Sequence, residues 1–310
     1  LWQEYFVMLR RFMESLRGPQ SSPLEKSHEC LSIYLEELDQ ILSDYDIDEV
    51  YLQCSDGSEI LQADGNGSTR TIAWRREKMS EFLTELSWET RVRLDPFRPY
   101  GGGVLPQRPW RWHAITAPMS PGRPLLVLRR QRFDALTLDR FKFENSSPSD
   151  LIKQLNHGMS LVFFGATGSG KTSLMMALLK EYYLKTRVGL AEVVEEIPLL
   201  SNAWFRLVEV APDTGGRGGV SMDRVVSEMM RLSPTVIAIG ELRGAETQVF
   251  FDAARTGHGG VLTTLHAGSF DDAKRRLSRL SNLRYEDFPQ ICGIHVQRQG
   301  GLVTVTANQL

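Results

Sequence analysis

The chain has 310 residues, of which 42% are hydrophobic and 24% charged, with 36 Lys and Arg against 38 Asp and Glu. That balance belongs to a globular protein large enough for two domains, and it excludes a disordered, collagen-like or fibrous chain. The formal net charge of −2 weighs against a protein that grips a long nucleic-acid track through a general basic excess.

In chain order, Trp2, Tyr5, Phe6, Leu9, Phe12, Met13 and Leu16 recur at helical spacing and predict an amphipathic helix that Gly18-Pro19 ends. A second helix is expected over Leu24–Leu42. Strand patterning follows from Glu49 to Leu61, with turns at Ser55-Asp56-Gly57 and Asp64-Gly65-Asn66-Gly67. A helix is predicted over Trp74–Leu94, a flexible loop at Gly101-Gly102-Gly103, and short strands at Trp112–Ile115 and Leu125–Leu128. The polar run Asn145–Ser149 is the candidate linker.

Beyond it, strands at Leu161–Phe164, Val188–Val194, Val236–Ile239 and Val261–Thr264 alternate with helices at Ser173–Leu184, Met222–Arg231 and Ala245–Arg255. Such alternation predicts an α/β domain with a parallel sheet and helices on both faces. Thr214–Gly219 reads as a mobile loop. The expected domains are a helical segment over 1–45, a small α+β domain over 46–144 and the α/β domain over 150–310.

No run approaches the roughly 18 apolar residues of a membrane helix. The opening Leu1–Tyr5 lacks the basic start and apolar core of a signal peptide. Leu1 in place of Met predicts an N-terminus that is absent or processed. Cys30, Cys54 and Cys292 are scattered, which suits a reducing cytosol rather than a disulfide framework or a zinc ribbon.

The most specific motif is Gly165-Ala166-Thr167-Gly168-Ser169-Gly170-Lys171-Thr172, a full G-x-x-x-x-G-K-[ST] between an apolar strand and a helix. Its glycines let backbone N–H groups wrap a phosphate that a Cβ would keep away. Lys171 supplies a positive charge, Thr172 a hydroxyl for Mg²⁺, and the helix that Ser173 continues adds its N-terminal dipole. ATP is expected over GTP, since no N-K-x-D motif is present.

Hydrolysis also needs carboxylates near the phosphates to order the metal shell and to position water. Glu195 and Glu196 close one apolar run and Glu241 closes another, where the carboxyl ends of parallel strands line a ligand crevice. His266 follows a further strand and is a candidate hydrogen-bond donor to a terminal phosphate. His258 precedes that strand and belongs at its opposite end.

Four segments, in order and spacing, resemble the hexameric traffic ATPases of type II and type IV secretion systems and type IV pili. They are Gly165–Thr172, the acidic box Val193–Leu200, the segment Met230–Glu246 and the histidine box Thr256–Ser269. Arg243-Gly244-x-Glu246 and Gly257-His258-Gly259-Gly260 resemble the type IV secretion and tight-adherence pilus branches in particular. The tetracysteine element of many type II ATPases is missing, and the sequence ends soon after Ala307.

The resemblance implies a RecA-like motor domain preceded by a PAS-like domain, six subunits in a ring, ATP and Mg²⁺ as cofactors, and inner-membrane components of a secretion or pilus machine as partners. It implies a cytoplasmic protein, peripheral at the inner face of the membrane. Arg111 and Arg129 match the N-domain arginines that reach a phosphate. Glu195 is expected to polarise water and Glu241 to order Mg²⁺ together with Thr172, roles the sequence leaves exchangeable. The acidic box here lacks the usual Asp and the later Glu, which leaves open an ATP-binding assembly platform with little hydrolysis. A RecA-fold motor that translocates DNA is a separate alternative, against which the near-neutral charge counts.

Overall fold

The computed structural model describes residues 31, 34–38, 42–43, 47–53, 59–63, 69–72, 76–106, 108–131, 136–212, 216–255 and 260–310. The first amphipathic helix, the turns at 55–57 and 64–67, and His258 lie outside the described residues. The chain divides into two compact units, Leu1–Gln131 and Arg132–Leu310.

The first unit is an antiparallel sheet with helix on one face. Strands β1 (Glu49–Gln53), β2 (Glu59–Ala63), β3 (Thr69–Ile72), β4 (Tyr100–Val104), β5 (Trp110–Ile115) and β6 (Leu125–Arg130) lie in the order β3-β2-β1-β6-β5-β4. Alternate residues Val50, Leu52, Trp110, Trp112, Ala114, Leu126 and Leu128 point inward. They pack with Met79, Phe82, Leu83 and Leu86 of helix α1 (Arg76–Thr90) and with Leu35 and Leu38 of the helical residues 34–38. The period of two along the strands and the three-to-four spacing on the helices make one core.

Gly101-Gly102-Gly103 is not a loop but the middle of β4, paired with Trp112–Ala114 of β5. The glycines are there for close approach: a Cβ on Gly101 would lie 2.7 Å from Val92, and one on Gly102 would lie 2.8 Å from the Trp112 carbonyl oxygen.

The second unit is a three-layer α/β fold. Its strands are β7 (Phe141–Phe143), β8 (Ser160–Gly165), β9 (Val188–Glu192), β10 (Phe205–Val208), β11 (Val236–Ile239), β12 (Val261–His266), β13 (Ile291–Gln299) and β14 (Leu302–Gln309). They run in the order β10-β9-β11-β12-β8-β13-β14-β7, parallel except for the β13–β14 hairpin. Its helices are α2 (Pro148–Asn156), α3 (Lys171–Tyr183), α4 (Met222–Arg231), α5 (Glu246–Arg255) and α6 (Phe270–Ser281).

The central strands are buried on both faces, which is why they read as unbroken apolar runs. Leu161 and Phe163 join the core formed with α2 and α3. Val162 and Phe164 join the opposite core, formed with α4, α5 and α6.

Two expectations change here. The stretch 145–149 is not a linker. Ser147 caps α2 in a reciprocal capping box with Asp150, Pro148 takes the first turn, and the Asn145 side chain bonds the backbone of Ala307. The division between units falls at Gln131, ahead of the boundary at 144, because β7 pairs with β14.

Candidate functional site

Because β8, β9, β11 and β12 are parallel, their carboxyl ends lie along one edge of the sheet. Gly165, Glu192 and His266 end β8, β9 and β12, and Glu241 lies two residues beyond the end of β11. Ridge and crevice are thus set by topology before any side chain is considered.

The phosphate loop leaves β8 at Gly165, with φ +156°, and passes Gly168 at +72° and Gly170 at +104° before α3 begins. A Cβ on Gly165 would stand 2.2 Å from the Val296 carbonyl oxygen, whereas one on Gly168 meets nothing within 4 Å. Gly165→Ala is therefore expected to lower unfolding free energy by roughly 2–4 kcal/mol, and Gly168→Ala by about 1 kcal/mol, in parallel urea titrations. Equal losses would show that the close approach at Val296 does not matter.

Ala166, Thr167 and Gly168 are exposed, while the Ser169 hydroxyl is buried and has no hydrogen-bond partner. The first turn of α3, which holds Lys171, Thr172 and Ser173, has N–H groups that no carbonyl within the helix can satisfy. An open glycine cradle, an orphaned hydroxyl and a helix N-terminus fit the phosphates of a nucleotide.

Lys171 is buried and folded back onto its own loop. Its Nζ donates to the Gly165 oxygen at 3.1 Å and the Ala166 oxygen at 2.8 Å, and lies 3.4 Å from His266 Nδ1. Burial lowers the Lys171 pKa, and the Glu241 carboxylate opposes that. The other ring nitrogen, His266 Nε2, is 3.3 Å from Glu241 Oε1. Burial first, and then the Lys171 charge, hold His266 below the ordinary histidine value. A neutral ring accepting from Lys171 at Nδ1 and donating to Glu241 from Nε2 satisfies both contacts. Glu241 also accepts from Arg243. Glu246, buried at the start of α5, accepts from the backbone N–H groups of Arg243 and Gly244 and so shapes this turn.

The acidic box departs from its expected placement. Strand β9 ends at Glu192, so that residue, and not Glu195, is the carboxylate at the strand end. Glu192 is buried and pairs with Arg206 of β10 at 2.8 Å. Burial pushes its carboxyl up to about 7, against the pull of Arg206 and two backbone N–H groups. Glu195 is exposed and reaches Arg206 Nη1 at 2.7 Å. Glu196 contributes to the charge acting on Arg243.

The structure thus brings Lys171, Glu241 and His266 together and turns Glu195 to Arg206. Sequence reasoning missed Glu192 because Val193-Val194 prolonged the apolar run past the strand. Arg111 and Arg129 stand directly opposite each other on β5 and β6 of the first unit, and Arg129 pairs with Glu49 of β1.

The parallel sheet and its helices define a protein of the α/β class that carries the G-x-x-x-x-G-K-[ST] motif between β8 and α3. The chain belongs to the type II/IV secretion system protein family, whose model matches residues 104–310. It is 27% identical over 245 residues to the conjugal transfer protein TrbB of Rhizobium radiobacter, covering 77% of this chain and 74% of TrbB. Over 122 residues it is 37% identical to the type IV secretion system protein PtlH of Bordetella pertussis, covering 39% of this chain and 36% of PtlH. In fold it resembles the Legionella pneumophila ATPase DotB, with a TM-score of 0.61 and 18% identity, over 90% of this chain and 80% of DotB.

Proposed function

We propose that the chain is a cytoplasmic ATP hydrolase that works as a ring, peripheral at the inner face of a membrane, and powers a secretion or type IV pilus machine. The observation that carries this reading is the meeting of Lys171, His266 and Glu241 at the end of the phosphate-loop strand, in a chain of this family. Names among the relatives refer to conjugal transfer and type IV secretion, which supports a machine context. Among the described residues no helix is long and apolar enough to cross a membrane. The proposed membrane association is through inner-membrane partner proteins.

In this reading the loop Gly165–Lys171 and the first turn through Thr172 and Ser173 bind the phosphates of ATP. Thr172 and Glu241 would hold Mg²⁺, which when bound neutralises charge on the phosphate oxygens. Lys171 exchanges its two loop carbonyls for phosphate oxygens, a substitution that costs little because the ammonium is already desolvated. His266 loses its Lys171 contact at the same moment, so its ring turns to the terminal phosphate and reports whether that group is present. Glu241 or an acidic-box carboxylate orients water; Glu195 does so only after leaving Arg206.

The first unit, with its antiparallel sheet and one-sided helical cover, suits a PAS-like domain whose Arg111 and Arg129 reach a phosphate. A six-membered ring then passes the work of hydrolysis to its partners.

The parked Glu195 favours one competing reading, an assembly platform that binds ATP and hardly hydrolyses it. Steady-state phosphate release from ATP with Mg²⁺ separates the readings. Catalytic turnover that single-stranded DNA leaves unchanged is expected. Bound nucleotide without turnover supports the platform, and stimulation by DNA that fades with salt supports a DNA translocase.

A further inference from the structure

The mechanism above leaves unused one buried charged pair, Glu192 and Arg206. Glu192 is 3% exposed, and the Arg206 side chain 14%. Their side-chain hydrogen bonds go to the acidic loop or to each other. Glu192 Oε1 accepts from the backbone N–H of Glu196 at 3.0 Å and of Ile197 at 2.9 Å, while Oε2 accepts from Arg206 Nε at 2.8 Å. Arg206 Nη1 donates to Glu195 at 2.7 Å, and Nη2 donates to the Ile197 carbonyl oxygen.

Ile197 is therefore held at its N–H by one member of the pair and at its carbonyl by the other, with its side chain sunk in the core. The four residues Val193–Glu196 span the gap between strand-end Glu192 and this anchor. The frame also abuts the segment that carries Glu241. The Gly240 N–H donates to the Ala191 oxygen at 2.9 Å, and a Cβ on Gly240 would lie 3.7 Å from Glu192 Cγ.

A buried ion pair is weak support for stability, since apolar residues of similar volume often serve as well or better. What such residues cannot do is grip two N–H groups, a carbonyl and a surface carboxylate at once. We propose that Glu192 and Arg206 are positioning residues for hydrolysis: together they fix the path of the acidic loop beside Gly240–Glu241 and, through it, the positions of Glu195 and Glu196. This inference rests on the hydrolysis reading above. Nucleotide binding does not depend on the frame, because the phosphate loop belongs to β8 and α3.

Two variants test it. The double variant Glu192→Met with Arg206→Met removes the frame while leaving no unpaired buried charge. Arg206→Lys keeps the positive charge beside Glu192, but a single ammonium cannot span Glu192, Glu195 and the Ile197 oxygen. Both are expected to bind a non-hydrolysable ATP analogue with Kd within about twofold of wild type, and to show a kcat at least about tenfold lower with KM little changed. Arg206→Lys should retain more turnover than the double variant.

A kcat within twofold of wild type in both would overturn the inference, as would equal losses of affinity and kcat in Arg206→Lys, which describe a structural pair only. If the double variant does not fold, Arg206→Lys alone decides on the same criteria. A wild-type chain that binds the analogue and never turns over ATP removes the hydrolysis reading itself, and the frame's role with it. Normal wild-type turnover with unaffected variants removes the frame alone.

Discussion

Replacing Lys171 by Ala is expected to reduce ATP turnover by at least about 10²–10³-fold, the scale set by loss of one preorganised charge on a developing anion. The fold should survive. Among the described residues the ammonium bonds only Gly165, Ala166 and His266, and these are the phosphate loop and its neighbour rather than either hydrophobic core. Deleting a desolvated cation whose pKa burial already lowers removes a cost as well as three contacts. Thermal melting without nucleotide should therefore stay within a few degrees of wild type while the stabilisation by added Mg²⁺ and ATP disappears. Turnover within a few-fold of wild type would remove Lys171 from the site.

Glu241→Gln is expected to lower kcat by about 10²-fold or more, with a smaller effect on nucleotide affinity, because in the proposed function the carboxylate acts on water or the metal shell while the loop binds phosphate. The same substitution changes two further contacts. Gln presents an oxygen to only one of its two present partners, Arg243 and His266, so one of them meets an amide N–H₂. The loss should exceed that of Glu195→Gln, since Glu195 is exposed and bound to Arg206 rather than to the Lys171–His266–Glu241 chain. A Glu195→Gln defect equal to or larger than that of Glu241→Gln would reverse the two roles and place the acidic box at the centre of the chemistry.

Much of the second unit was legible because its elements obey local rules. The phosphate loop has a complete motif, α4 has one clean apolar face, and β11 is a short apolar run stopped by Gly240. Where reading failed, tertiary pairing overrode local pattern. Val193-Val194 extends an apolar run, yet β9 stops at Glu192, where its neighbour β10 stops at Val208. Three consecutive glycines look like a loop until a tryptophan-bearing strand pairs with them.

The capping box at Ser147 and Asp150 was readable, as Ser-Pro-Ser-Asp ahead of an apolar helix, but polar composition suggested a linker. The β13–β14 hairpin also had its signal. Gly300-Gly301 takes φ of +54° and +88° between alternating strands, the two-residue turn that glycine pairs favour. The partner of Glu192 had no such signal, since Arg206 lies 14 residues away on a different strand.

The central claim is that this chain hydrolyses ATP as a ring, and ATP turnover per subunit across protein concentration, with Mg²⁺, tests it most directly. The expected result is a specific rate that rises with concentration and levels off as the ring assembles. A specific rate near zero at every concentration, while nucleotide remains bound, would contradict it.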